Sequence, residues 1–226
     1  MGFVATATLS AEQLRTGRRI QGDSLHARVQ GWATSAIGGH SVEKEVIAAL
    51  AAVSPMAPAE LVCFRGQRRF PVGYRPDATE MGPPPSDNAS GGRYNSEGCS
   101  VLYLAETTDG VARESIAGSG PLWVQKFIVP TSILRIADLR VGCTDDLLNQ
   151  VFWLAEHAGE APVYPGYRFS QRVASLVAER FDGMMVPGVR GDRCCRYANV
   201  IVLRQMSEWS SWLDLHSQPQ LYGPVP

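Results

Sequence analysis

The chain has 226 residues, 45% of them hydrophobic and 19% charged, with a formal net charge of -1; it is long enough to bury a sizeable core and has an ordinary globular composition. That balance gives no electrostatic reason to expect nucleic acid or an anionic membrane as a partner. Five cysteines, an odd count without a C-x-x-C pair, and four dispersed histidines argue against a secreted disulfide framework and against a zinc site, so a cytoplasmic protein without metal is expected.

No stretch approaches the roughly 20 apolar residues that span a bilayer, and no basic region followed by an apolar core marks a signal peptide near Met1. Residues 1–40 are glycine-punctuated and without period. Ser41 then reads as the cap of a helix whose apolar face is Val42, Val46, Ile47, Leu50 and Val53, ended by Ser54-Pro55 and Pro58. A strand follows over 61–65, and 75–92 is a long Pro/Gly/Ser/Asp-rich loop of the kind that usually serves function.

Further strands are expected over 101–105, 122–129 and 133–139, with a short helix capped by Asp109 and carrying Glu114. Thr144 opens a helix with Leu147, Leu148, Val151, Phe152 and Ala155 on its apolar side. A second helix, 170–180, bears the stripe Val173, Leu176 and Val177. Strands at 184–187 and 199–203 complete the β component, and Trp209 and Trp212 of the tail are expected to cover an apolar surface. This mixed order without βαβ alternation predicts an α+β fold.

The chemistry concentrates in GGRYNSEGCSVLYLAETTDGVARES, residues 91–115. Breaking a nicotinamide–ribose bond needs no general acid, because the leaving group is already a pyridinium. It does need a carboxylate beside the ribosyl cation, a guanidinium for the pyrophosphate and an aromatic wall for the ring. Glu114, Arg93 and Tyr103 are those three residue types, and strand-then-helix geometry would turn them towards one cleft. Gly91-Gly92 would let a ligand approach the backbone. Without a wider pattern the bland reading holds: a solvated Arg, a core Tyr and a surface Glu. In the same way, Arg65-Gly66-Gln67-Arg68-Arg69 reads first as a solvated loop, Cys194-Cys195 as a structural pair, and His157 as a helix-end residue favoured by the dipole.

The run GGRYNSEGCSVLYLAE resembles the signature of the RES domain family: Gly-Gly-Arg-aromatic-Asn, a later Gly, an apolar-Tyr-Leu-Ala strand and a helix bearing Glu. Arg93, Asn95, Gly98, Tyr103 and Glu114 match it in type and spacing. Phe64-Arg65 resembles the opening strand, and FDGMMVPGVR with NVIVL the closing segment. The resemblance implies an ADP-ribosyltransferase-like split β-sandwich with flanking helices. It divides the chain into an N-terminal helical extension (1–60), an NAD-binding catalytic domain (61–204) and a tail (205–226).

By that resemblance NAD+ is the substrate. Arg93 would hold the dinucleotide, Tyr103 would pack on nicotinamide and Glu114 would stabilise the ribosyl cation. Arg65, Gly92, Tyr94 and Asn95 would complete the NAD-binding wall. The family's usual serine after the closing proline is here Gly188, and its hydroxyl would be replaced by the Gly188 backbone or by Ser170. The implied function is a toxin that depletes NAD+ by hydrolysis or phosphorolysis. The alternatives are an ADP-ribosyltransferase acting on a protein or nucleic acid, and a non-catalytic NAD-binding module. A cognate antitoxin or immunity protein covering the cleft is the expected partner.

Overall fold

A computed structural model describes residues 25–35, 40–115, 120–140, 144–156, 167–188, 197–204, 209–212 and 217–223. His157 and the Cys194-Cys195 pair lie outside the described residues. Helices α1 (Leu25–Thr34), α2 (Ser41–Ala52), α3 (Thr108–Glu114), α4 (Asp146–Glu156) and α5 (Arg168–Ala178) accompany strands β1 (Glu60–Gln67), β2 (Leu102–Ala105), β3 (Trp123–Pro130), β4 (Ile136–Asp138), β5 (Gly183–Pro187), β6 (Ala198–Val202) and β7 (Gln220–Leu221). The long loop holds two short 3-10 turns, Ala78–Met81 and Ser86–Asn88.

Several helix starts are shifted from the sequence expectation, each by a better cap. His40, not Ser41, caps α2, its ring accepting from the Val42 N–H. Thr107, not Asp109, caps α3 through the Gly110 N–H at 3.0 Å. Asp145 accepts from the Leu148 N–H at 2.8 Å, so α4 begins two residues beyond Thr144. A carboxylate or hydroxyl that reaches an orphan N–H decides such starts. Ile47 is exposed while Val42, Val46 and Leu50 are buried, because an i, i+4 stripe is narrower than the apolar arc of that helix.

The α+β fold class is as expected. One seven-stranded mixed sheet runs β4-β5-β6-β2-β1-β3-β7, antiparallel except where β4 meets β5. Its seam is narrow. β1 pairs with β3 along its whole length, Glu60↔Pro130 to Gln67↔Trp123, but with β2 only at Phe64↔Ala105. The sheet therefore divides there into two halves.

Strand alternation gives the sheet two unlike faces. Leu102, Leu104, Met185, Val200 and Val202 pack with Phe127, Val129 and Trp212, so the tail does cover an apolar surface. The opposite residues, Met184, Val186 and Ile201, pack with Val29, Trp32, Leu50, Phe152 and Val173 of the helices. A smaller cluster of Ala105, Val111, Leu122, Val124 and Tyr197 lies beneath α3.

Glu43 fastens α1 and α2 to α5. Its buried carboxylate accepts from the Trp32 indole at 3.3 Å and from Arg172 Nη2 at 2.5 Å. Glu43→Ala leaves both donors without that partner, at a cost of about 1–3 kcal/mol. A chain of this size then melts about 2–10 °C lower. Thermal denaturation checks this, and an unchanged midpoint would show that the helices are held by packing alone.

Candidate functional site

The Arg93 turn is built before any ligand arrives. Arg93 and Tyr94 form the tip of a tight turn closed by the Gly92 N–H donating to the Asn95 carbonyl at 2.8 Å. The Asn95 amide nitrogen donates to the carbonyls of Ser90, Ser96 and Cys99. From β2, the Tyr103 hydroxyl donates to Asn95 Oδ1 at 2.8 Å and accepts from the Tyr94 N–H at 2.9 Å. From α5, Gln171 Nε2 donates to the carbonyls of Gly92 and Asn95 at 2.8 and 2.9 Å, and Ser170 Oγ to that of Arg93. A Cβ at Gly92 would stand 2.6 Å from Asn95 Oδ1 and 3.1 Å from the Tyr103 hydroxyl, so the turn closes this tightly only with glycine there.

Glu114 is the last residue of α3, half-buried against the β5–β6 hairpin. Its Oε1 accepts from the Tyr197 hydroxyl at 2.7 Å and from Asn199 Nδ2 at 2.9 Å. Asn199 stands opposite Ala105, and Tyr103 opposite Ile201. Tyr103 and Asn199 are thus diagonal neighbours on one face, roughly 7–8 Å apart in such ladders. That register brings the Arg93 turn and the Glu114 carboxylate to the same side of the sheet.

Arg93 itself is half-buried, its guanidinium 5.3 Å over the Tyr167 ring and 3.4 Å from the Ala155 carbonyl. These contacts place the guanidinium at the ends of α4 and α5.

Arg65 pairs with Gln125 on β1, and its guanidinium comes within electrostatic reach of Tyr103. Burial pulls its guanidinium down to about 10, Arg69 adds to the fall, and the nearby Tyr103 phenol opposes it. Its Nη1 is buried and has no hydrogen-bond partner among the described residues. A buried, unpaired donor of this kind is costly unless an acceptor joins it.

Three further expected site residues are already engaged within the fold. The Tyr94 ring is 4% exposed and packs in the helix-side core, because the turn points it inward; its N–H donates to the Tyr103 hydroxyl. Ser170 is fully buried and its hydroxyl is spent on the carbonyls of Arg93 and Tyr167, so it supports the turn and presents nothing to a ligand. The Gly188 N–H is likewise used, donating to the Tyr197 carbonyl at 2.9 Å. Neither supplies the hydroxyl absent at 188.

Gln171, Tyr197 and Asn199 were missed as functional candidates. Asn199 had a signal, a polar residue heading the buried run NVIVL; Gln171 and Tyr197 had none.

A groove of about 710 Å³ lies on the opposite face, lined by Pro83, Pro84, Pro85, Leu102, Trp209 and Trp212 among others. Such a cavity is the usual first choice for a ligand site. Here its charged side chains are already engaged: Arg69 with the Glu80 carbonyl, Glu80 with the Asp77 N–H, Arg204 with Asp182. It contains none of Arg93, Asn95, Tyr103, Glu114, Gln171, Tyr197 and Asn199. The Arg93–Glu114 face is the chemically equipped one. Among the described residues no group of His, Cys, Asp or Glu is placed to hold a metal ion, and no helix is long and apolar enough to cross a membrane.

A family model described as RES domain matches residues 68–208, a span that holds Arg93, Tyr103, Glu114 and both donors to Glu114 and that begins beyond Arg65. No curated protein matches the chain.

Proposed function

The chain belongs to the RES domain family, and on that premise we propose that it is a toxin-type enzyme that cleaves the nicotinamide–ribose bond of NAD+ and passes the ADP-ribosyl group to water or phosphate. The observation that carries this reading is Glu114: a carboxylate fixed by two hydrogen bonds to one oxygen, on the sheet face that bears the Arg93 turn.

In the reaction, the C1′–N bond breaks and its electron pair neutralises the pyridinium nitrogen. Positive charge moves onto the ribose, where the Glu114 carboxylate stabilises it more strongly than it stabilises the ground state. Water or phosphate then bonds C1′, and water loses its proton to solvent. Arg93 holds the pyrophosphate. The Tyr103 hydroxyl is committed to the turn, so its contribution to the substrate is the ring.

The test is to incubate the protein with NAD+, with and without phosphate, and identify products by chromatography and mass. Nicotinamide with free ADP-ribose supports hydrolysis; a phosphorylated ADP-ribose formed only with phosphate supports phosphorolysis. Absence of nicotinamide in both would turn the reading towards transfer to a macromolecule. An enzyme that destroys NAD+ also calls for a neutralising partner over the cleft, to be sought by co-purification with its genetic neighbour.

A further inference from the structure

The Glu114 carboxylate has its two donors on the β5–β6 hairpin, and one of them sits in a slot. Tyr197 is 6% exposed, its ring wedged between two glycines. A Cβ built at Gly110 of α3 would lie 2.6 Å from ring atom Cδ2, and one at Gly188 would lie 2.1 Å from Cε2. A ring is rigid, so neither contact is relieved by a small rotamer change. The main chain fixes the same spacing, since the Gly188 N–H donates to the Tyr197 carbonyl at 2.9 Å. Glycine inside a helix is disfavoured; at 110 it leaves the room that the ring occupies.

We propose that Tyr197 is the positioning residue of Glu114, and that Gly110 and Gly188 form the slot that aims its hydroxyl. With Oε1 accepting from Tyr197 and Asn199, the carboxylate plane is fixed and Oε2 is left for the substrate. Any side chain at 188, serine included, would displace the ring; the hydroxyl comes instead from across the hairpin. The proposal rests on Glu114 being the carboxylate that acts on the ribosyl cation.

Tyr197→Phe keeps the ring and removes only the hydroxyl. Its kcat for nicotinamide release is expected to fall about tenfold while KM for NAD+ stays within about twofold. Wild-type kcat in this variant would overturn the proposal. A second arm needs no substrate. Gly188→Ala should lower the melting midpoint by about 4 °C or more in the native background and by much less in a Tyr197→Ala background, where the clash has no partner. Equal losses in both backgrounds would overturn the slot. Should the wild type release no nicotinamide, the functional premise is what fails, and the melting arm identifies that case because it is read without NAD+.

Discussion

Glu114→Gln is expected to cut nicotinamide release by about 10²–10³-fold while NAD+ still binds. The amide has the shape of the carboxylate and can still accept through its oxygen from Tyr197 and Asn199, the donors that hold Oε1 at 2.7 and 2.9 Å. What it lacks is the negative charge, and the charge matters only once the C1′–N bond has begun to break. Loss confined to the transition state lowers kcat and leaves substrate affinity within about threefold. Single-turnover release of nicotinamide, with calorimetric NAD+ binding on the same protein, separates the two quantities. Wild-type turnover in Glu114→Gln would remove the carboxylate from the mechanism. Unchanged turnover with weakened binding would reassign it to the ground-state complex.

What was legible in the sequence was what the chain writes contiguously. Arg93, Asn95 and Tyr103 lie within one turn and the strand after it, and it was their match to the RES signature that singled them out. Glu114 follows on the next helix. The partners that finish the site lie far along the chain: Gln171 meets Gly92, and Tyr197 and Asn199 meet Glu114. Their meeting is set by the β2–β6 register and by the seating of α5, which no local pattern encodes. The same limit explains Tyr94. It follows Arg93 directly, yet a tight turn sends consecutive side chains apart, one to the cleft and one to the core. Gly188 read as a lost hydroxyl; in the fold it is the space that Tyr197 fills.

The second large effect is expected at Arg93. The backbone of its turn is clamped by Ser170, Gln171 and Tyr103, so Arg93→Ala should keep the turn. The guanidinium lies 3.4 Å from the Ala155 carbonyl and over the Tyr167 ring, and in the proposed reaction it meets the pyrophosphate. Losing charge-assisted hydrogen bonds to a pyrophosphate costs about 1.5–3 kcal/mol, which is about 10- to 150-fold in affinity. Unlike Glu114→Gln, this change should raise KM, because the pyrophosphate is bound equally in ground and transition states. Misplacement of the ribose should lower kcat as well. Arg93→Lys should fall between, since an ammonium keeps the charge but not the planar fork. The decisive measurement is calorimetric titration of NAD+ into Arg93→Ala combined with Glu114→Gln, where turnover does not deplete the ligand. Affinity equal to that of Glu114→Gln alone would mean that Arg93 does not hold the dinucleotide, and Arg65, with its unpaired buried Nη1, would become the residue to test for that role.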